Sequence, residues 1–208
     1  MLAVIRFRTG GSVRFLSHAE TMRLFQRALA RAGVQIAYSQ GFNPHQKMSL
    51  VLPRSVGVES DDEILCLRLK EGQTDIDADA MKAALPEGIE IISVTINQTN
   101  TAPEPILARY AIKTKKQCVD EKVVQNISEI SAGEKIIVNR RTGEDSSKPV
   151  DVRPFLETIK TEPWGFTVDC KISPAGTIRV DEILGLLQLK TEDLTGPVRR
   201  TSVQWKGI

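Results

Sequence analysis

Apolar and polar residues alternate over residues 2–9, where Leu2, Val4, Ile5 and Phe7 stand against Arg6 and Arg8. A period of two predicts a half-buried strand, imperfect only at Val4-Ile5. Gly10-Gly11 predicts a turn, after which residues 13–16 continue extended. The period then changes. Met22, Phe25, Leu29 and Ala32 recur at helical spacing, with Leu24 and Ala28 widening the buried face. Ser17 and Glu20 supply the S-x-x-E capping box, so the helix begins at His18. Gly33 is placed to stop it. Residues 34–38 predict a short strand, and residues 39–47, SQGFNPHQK, a loop. Gly41 permits unusual backbone angles there and Pro44 forces Asn43 out of the helical region, so the loop is expected to be ordered. Strands follow at 48–52 and 61–69. In the second, Leu65, Leu67 and Leu69 form the core face, while Ile64, Cys66 and Arg68 form a partly solvated one. A helix over 75–85 and a strand over 89–96 complete the first half.

Residues 97–105 are polar, hold two prolines and show no periodicity, which marks a linker. Beyond it the pattern predicts a strand over 109–113, a helix over 120–131, a strand over 135–138 and a polar turn over 140–148. A helical start follows at 152–158, with Arg153 and Pro154, then a strand over 166–172, a helix over 180–187 and a final strand over 198–204. Close-spaced strands with two interspersed helices fit an α+β fold of two-layer ferredoxin-like sandwiches with a mostly antiparallel sheet. The expected division is 1–97 for the N-terminal half and 106–208 for the C-terminal half. The order is compatible with two related halves, although no residue-level repeat accompanies it.

Composition narrows the class. The 208 residues include 41% hydrophobic and 26% charged positions, ordinary for a globular protein. No apolar run approaches the roughly 20 residues that cross a bilayer, and the N-terminus lacks signal-peptide features, so a cytoplasmic protein with no membrane partner is expected. Cys66, Cys118 and Cys170 are scattered, with no ligand-like spacing. Cys66 and Cys170 read as buried strand residues. Two histidines without a third nearby ligand do not close a metal shell, and no cofactor motif is present. The acids Asp61, Asp62 and Glu63 read as a solvated turn and strand start, and Asp151, Asp181 and Glu182 as ordinary helix-start residues.

Charge singles out residues 14–49. The chain carries only +2, yet this stretch sets Arg14, Arg23, Arg27, Arg31 and Lys47 against one acid, Glu20. It also holds both histidines, His18 and His45. Arg23, Arg27 and Arg31 lie at i, i+4 and i+8 and therefore share a helix face. Like charges at that spacing repel by about 0.2–0.5 kcal/mol per pair. A solvated face is one reading of the row. A phosphate-binding surface is the other, because guanidinium groups are planar, bidentate donors. Ser39, Gln40, Asn43 and Lys47 extend the candidate nucleic-acid surface into the loop. Phe42 reads as a loop anchor packed on the core, with base stacking as the alternative. His18 and His45 are the candidate catalytic residues, with a structural or capping role for each histidine alone as the other reading. Should they meet, they would form an acid–base pair suited to RNA backbone cleavage.

The segment FLSHAETMRLFQRALARAG…AYSQGFNPHQKMS resembles a bacterial family of radical-SAM-associated domains of unknown function, in which GFNPHPK is common. The resemblance is strong over about the first 70 residues. Later, Arg153-Pro154 and Arg200-Thr201 are weaker landmarks, and Gln46 stands where the family often has a second proline. It implies a cobalamin-binding radical SAM protein as partner and an RNA- or ribosome-related modification pathway. This chain has no CxxxCxxC triad to hold the cluster itself. The expected function is an RNA-binding or substrate-recognition module for that partner, not an enzyme on its own. A protein-interaction adaptor and a metal-independent RNA-processing enzyme are the alternatives.

Overall fold

Phe7 of the first strand meets Phe25 of the first helix edge to face, with ring centroids 4.7 Å apart. The core of the N-terminal unit is built around that pair. The computed structural model describes residues 1–98, 101–119, 121–141 and 146–207. It falls into two units, Met1–Pro105 with Trp205–Ile208, and Ile106–Gln204. No described helix is long and apolar enough to cross a membrane.

The first unit runs β1 (Leu2–Thr9), α1 (His18–Arg31), β2 (Met48–Leu50), β3 (Glu59–Arg68), α2 (Ala78–Ala84) and β4 (Ile89–Asn97). Its sheet order is β4-β1-β3-β2, with every described pairing antiparallel. This is the βαββαβ ferredoxin-like arrangement. Ala3, Ile5 and Phe7 of β1 and Leu65 and Leu67 of β3 point to one side, where they bury Phe25 and Leu29 of α1 and Met81 of α2. The opposite side is more covered than the strand pattern suggests, although Arg68 and Arg6 remain partly exposed there. Leu2, Val4, Ile64 and Cys66 are buried there against Val51, Ala102 and Trp205. Strands covered on both faces lose their alternation, which is why β3 reads as one-sided but is not.

Residues 13–15 are not extended: Gly11–Phe15 forms a 3-10 turn, and only Leu16 of the expected stretch is extended. The expected strand at 34–38 is two isolated bridges, Ile36 to Leu69 and Tyr38 to Gln46. The largest departure is the acidic run. Asp62 and Glu63 lie buried inside β3. Glu63 accepts a hydrogen bond from the Thr9 hydroxyl and sits 3.4 Å from Arg54 Nε. Arg54 in turn donates to the carbonyls of Arg14 at 2.5 Å and Val13 at 2.8 Å. Those are carbonyls of the 3-10 turn, and a buried guanidinium that satisfies them stabilises the turn over an extended chain.

The second unit holds most of β5 (Glu104–Lys113), then α3 (Glu121–Ala132), β6 (Ile137–Arg141), β7 (Ser147–Asp151), β8 (Leu156–Glu162), β9 (Gly165–Lys171), α4 (Val180–Leu186) and most of β10 (Arg199–Lys206). With the β6-β7 hairpin set aside, β5, α3, β8, β9, α4 and β10 repeat the βαββαβ order, and the sheet order β10-β5-β9-β8 repeats as well. One ion pair repeats with it. Arg6 of β1 grips Asp62 of β3 through Nε and Nη2 at 2.8 and 2.9 Å. Arg109 of β5 grips Asp169 of β9 the same way at 2.7 and 2.9 Å. The relation between halves thus lives in topology and one ion pair.

β7 and β8 have no counterpart among the elements that the hydrophobic pattern predicts. The centre of the expected polar turn, residues 142–145, lies outside the described residues, as do residues 99–100 of the linker and the expected helix start at Asp120. The helical start at 152–158 reduces to a 3-10 turn, Arg153–Phe155. Asp151 anchors it by accepting from the backbone N–H groups of Ile136 and Arg153, each at 3.0 Å. Glu182 is no ordinary helix-start acid either. It is buried and pairs with Arg140 through two bonds of 2.7 Å.

The Arg109 hydrogen bonds hold the Asp169 carboxyl below its ordinary value, against the opposing effect of burial. A lowered carboxyl contributes stability that is complete above its unfolded value of about 3.9 and is lost as pH falls through the lower folded value. Asp169→Asn is therefore expected to flatten acid destabilisation as pH falls below about 4. Urea unfolding across that range checks this, and an unchanged pH profile would contradict it.

Candidate nucleic-acid interface

The α1 cap forms as the S-x-x-E pattern demands. Ser17 Oγ accepts from Glu20 N at 3.3 Å, and the Glu20 carboxylate accepts from Ser17 N at 2.8 Å and Ser17 Oγ at 2.7 Å. These bonds, the side-chain one foremost, hold the Glu20 carboxyl below its usual range. Glu20 is thereby tied to the cap and makes no close pair with the arginine row among the described residues, although the Arg23 charge also helps to lower its carboxyl. Arg23, Arg27, Arg31 and Lys47 are all exposed and form no hydrogen bond or ion pair through their side chains among the described residues.

Two grooves flank the row. The first, about 650 Å³, is lined by the apolar Leu16, Leu24, Leu85 and Pro86, by Arg23, Arg27 and Arg31, and by Glu20. The second, about 620 Å³, lies between α1 and the loop. Arg23, Gln26 and Arg27 line one side, and Tyr38, Pro44, His45 and Gln46 the other. Arg23 and Arg27 line both grooves, so α1 is a cationic ridge between them.

The loop is closed by its own backbone. Ser39 N donates to His45 O at 2.8 Å and Lys47 N to Ala37 O at 2.8 Å. The Ser39 hydroxyl accepts from His45 N at 3.0 Å, so Ser39 shapes the loop in addition to lying on its surface. Gly41 takes φ +126, which an L side chain rarely adopts. Phe42 is 107% exposed. It is not a core anchor, because the closed loop holds it at the tip. Gln40 and Asn43 are exposed beside it.

Other expected site residues stand apart. His18 is exposed at the first position of α1 and lines neither of these two grooves, whereas His45 lines the second. Arg14 lies in the 3-10 turn, where it donates to Gly11 O at 2.7 Å and its guanidinium stacks 4.4 Å from the Phe15 ring centroid. Cys66 and Cys170 are buried. Burial pushes the Cys66 thiol up to about 11 and raises Cys170 as well, so neither is a ready thiolate. Among the described residues there is no group of three or more His, Cys, Asp or Glu that could hold a metal ion. Sequence reading misses Arg54 and Tyr38 altogether. Arg54 follows Pro53 in a polar stretch, with no local signal of its partner. Tyr38 reads as a strand residue, and only the bridge to Gln46 turns it toward the groove.

The fold and this ridge define a ferredoxin-like α+β protein with an exposed arginine row, whose neighbouring acid Glu20 is held by the helix cap, and an ordered loop. The chain belongs to the family described as "Uncharacterized protein conserved in bacteria (DUF2344)", whose model matches residues 3–185. No functionally curated protein matches it. Among solved structures it is similar to "Crystal Structure of a Cbf5-Nop10-Gar1 Complex", at 11% identity and a TM-score of 0.47. That match covers 97% of this chain and 48% of the other, so the chain spans about half the length of that protein.

Proposed function

We propose that α1 and the loop form an RNA-binding face, and that the protein is a recognition module for a radical SAM partner in RNA- or ribosome-related modification. The partner and pathway rest on the sequence resemblance alone. The RNA reading rests on one observation: Arg23 and Arg27 form no close ion pair and line a groove with the polar side chains of His45, Gln46 and Gln26. Clustered guanidinium groups repel one another, the cap-bound Glu20 near Arg23 offsets only part of that, and phosphate oxygens fit their bidentate geometry.

The adaptor reading, with the same face docking an acidic protein, draws on the apolar walls of the first groove. The enzyme reading, with His18 and His45 as an acid–base pair, has less support because His18 lies outside both grooves.

The test is binding of tRNA or rRNA fragments at low ionic strength by the wild type and by Arg23→Glu with Arg27→Glu. Both positions are exposed, so the variant is expected to fold. Affinity is expected to fall with salt, and the variant's salt slope to be shallower by about 0.7–0.9 for each phosphate it no longer neutralises. Its affinity should drop at least about tenfold at low salt. Absent binding by the wild type, or an unaltered variant, would remove the RNA reading. Co-purification with an acidic partner that survives nuclease would then favour the adaptor.

A further inference from the structure

We propose that the loop selects unpaired nucleotides, with Phe42 and Tyr38 as stacking platforms for bases whose phosphates lie on Arg23 and Arg27. This rests on the RNA-face reading and names the part of an RNA that the face takes. Phe42 is 107% exposed and Tyr38 54% exposed. A lone exposed aromatic is common and needs no explanation. Here two stand within five positions of one loop, and Tyr38 and His45 line the groove that holds the two arginines.

The loop cannot bury its aromatic tip. The Ser39–His45 closure and the bridge from Tyr38 to Gln46 fix both stems. Gly41 turns the chain at φ +126 just before Phe42. The ring is therefore held out in water by backbone bonds, preorganised for a flat apolar ligand edge. On the second sheet face of the same unit, Leu2, Val4, Ile64 and Cys66 are buried against Val51, Ala102 and Trp205. Gln40, Asn43 and Gln46 place amide donors and acceptors beside the rings, which suits the hydrogen-bonding edges of splayed bases.

A duplex would not use these features. Its bases are stacked on one another, and the major groove of an A-form helix is too deep and narrow for side chains to read. A loop, bulge or single strand exposes π-faces to Phe42 and Tyr38 while its backbone still supplies phosphates to the arginines.

The test uses the full chain and three RNAs sharing one stem: a hairpin with a wide loop, the same hairpin with an abasic loop, and the blunt duplex. The intact hairpin is expected to bind about tenfold more tightly than either of the others. Phe42→Ala should remove most of that advantage and leave duplex binding and the salt slope unchanged. Phe42→Trp should restore it, with tryptophan fluorescence quenched by the hairpin but not by its abasic form. Equal binding of intact and abasic hairpins, with Phe42→Ala without effect, would overturn base stacking and leave the arginine face standing. Failure of all three RNAs to bind at low salt would overturn both.

Discussion

Arg54→Ala is expected to destabilise the protein by about 3–5 kcal/mol, the usual cost of breaking a buried ion pair by removing one partner. The Arg54 and Glu63 side chains are only 4% and 2% exposed. Without the guanidinium, Glu63 keeps a charge in the interior with the Thr9 hydroxyl among its few donors. The carbonyls of Val13 and Arg14 also lose the donor that reaches them at 2.8 and 2.5 Å. Urea unfolding followed by circular dichroism gives the number. The double variant Arg54→Met, Glu63→Met provides the contrast, because removing both partners leaves no uncompensated buried charge. It should regain a large part of the loss. A single variant within about 1 kcal/mol of wild type would mean the pair is not what holds the turn before α1.

Gly165→Ala is expected to cost about 3 kcal/mol or more, for a reason unrelated to charge. Gly165 begins β9 at φ +141. A Cβ there would overlap Ile112 O and stand 3.0 Å from Thr114 N. Both are backbone atoms, one of them in β5, so relief requires the strand to shift and not a side chain to rotate. Gly185→Ala in α4 should move the opposite way. No atom lies within 4 Å of a Cβ at that position, and alanine in a helix interior is favoured over glycine by about 0.5–1 kcal/mol. Thermal unfolding of the two variants side by side checks the pair. Similar melting points would show that the close approach at Gly165 does not limit β9.

Local signals are what the sequence makes readable. The Ser17–Glu20 cap, the Gly33 stop and the arginine spacing each depend on residues within one or two helical turns, so they are legible without a fold. The ferredoxin-like order is recoverable because hydrophobic periodicity marks β1, α1, β3 and β4 clearly. β7 and β8 are not, because SKPVD and LETIKTE have short or broken alternation and Pro149 argues against a strand. Long-range facts are invisible. Nothing near Glu63 reveals that Arg54 and Thr9 enclose it, so DDE reads as a solvated run. Phe42 misleads for the converse reason: an aromatic residue in a loop is usually an anchor, and only the Ser39–His45 closure denies it the core. The arginine row and the loop are legible as pieces. Their juxtaposition across one groove is not, because it depends on the return of the chain from Gly33 to Tyr38.

The indole of Trp205 donates to Asp62 Oδ2 at 3.2 Å, closing a hydrogen bond between residues 143 apart in sequence. During synthesis from the N-terminus, at roughly 5–20 residues per second, that donor emerges about 7–30 s after its acceptor. Throughout the interval Arg6, made before either, is available to hold the Asp62 carboxylate through both of its oxygens. The first unit can therefore assemble around a neutralised carboxylate while the second is still being translated. The Trp205 bond can then be added late, to an ion pair that does not depend on it.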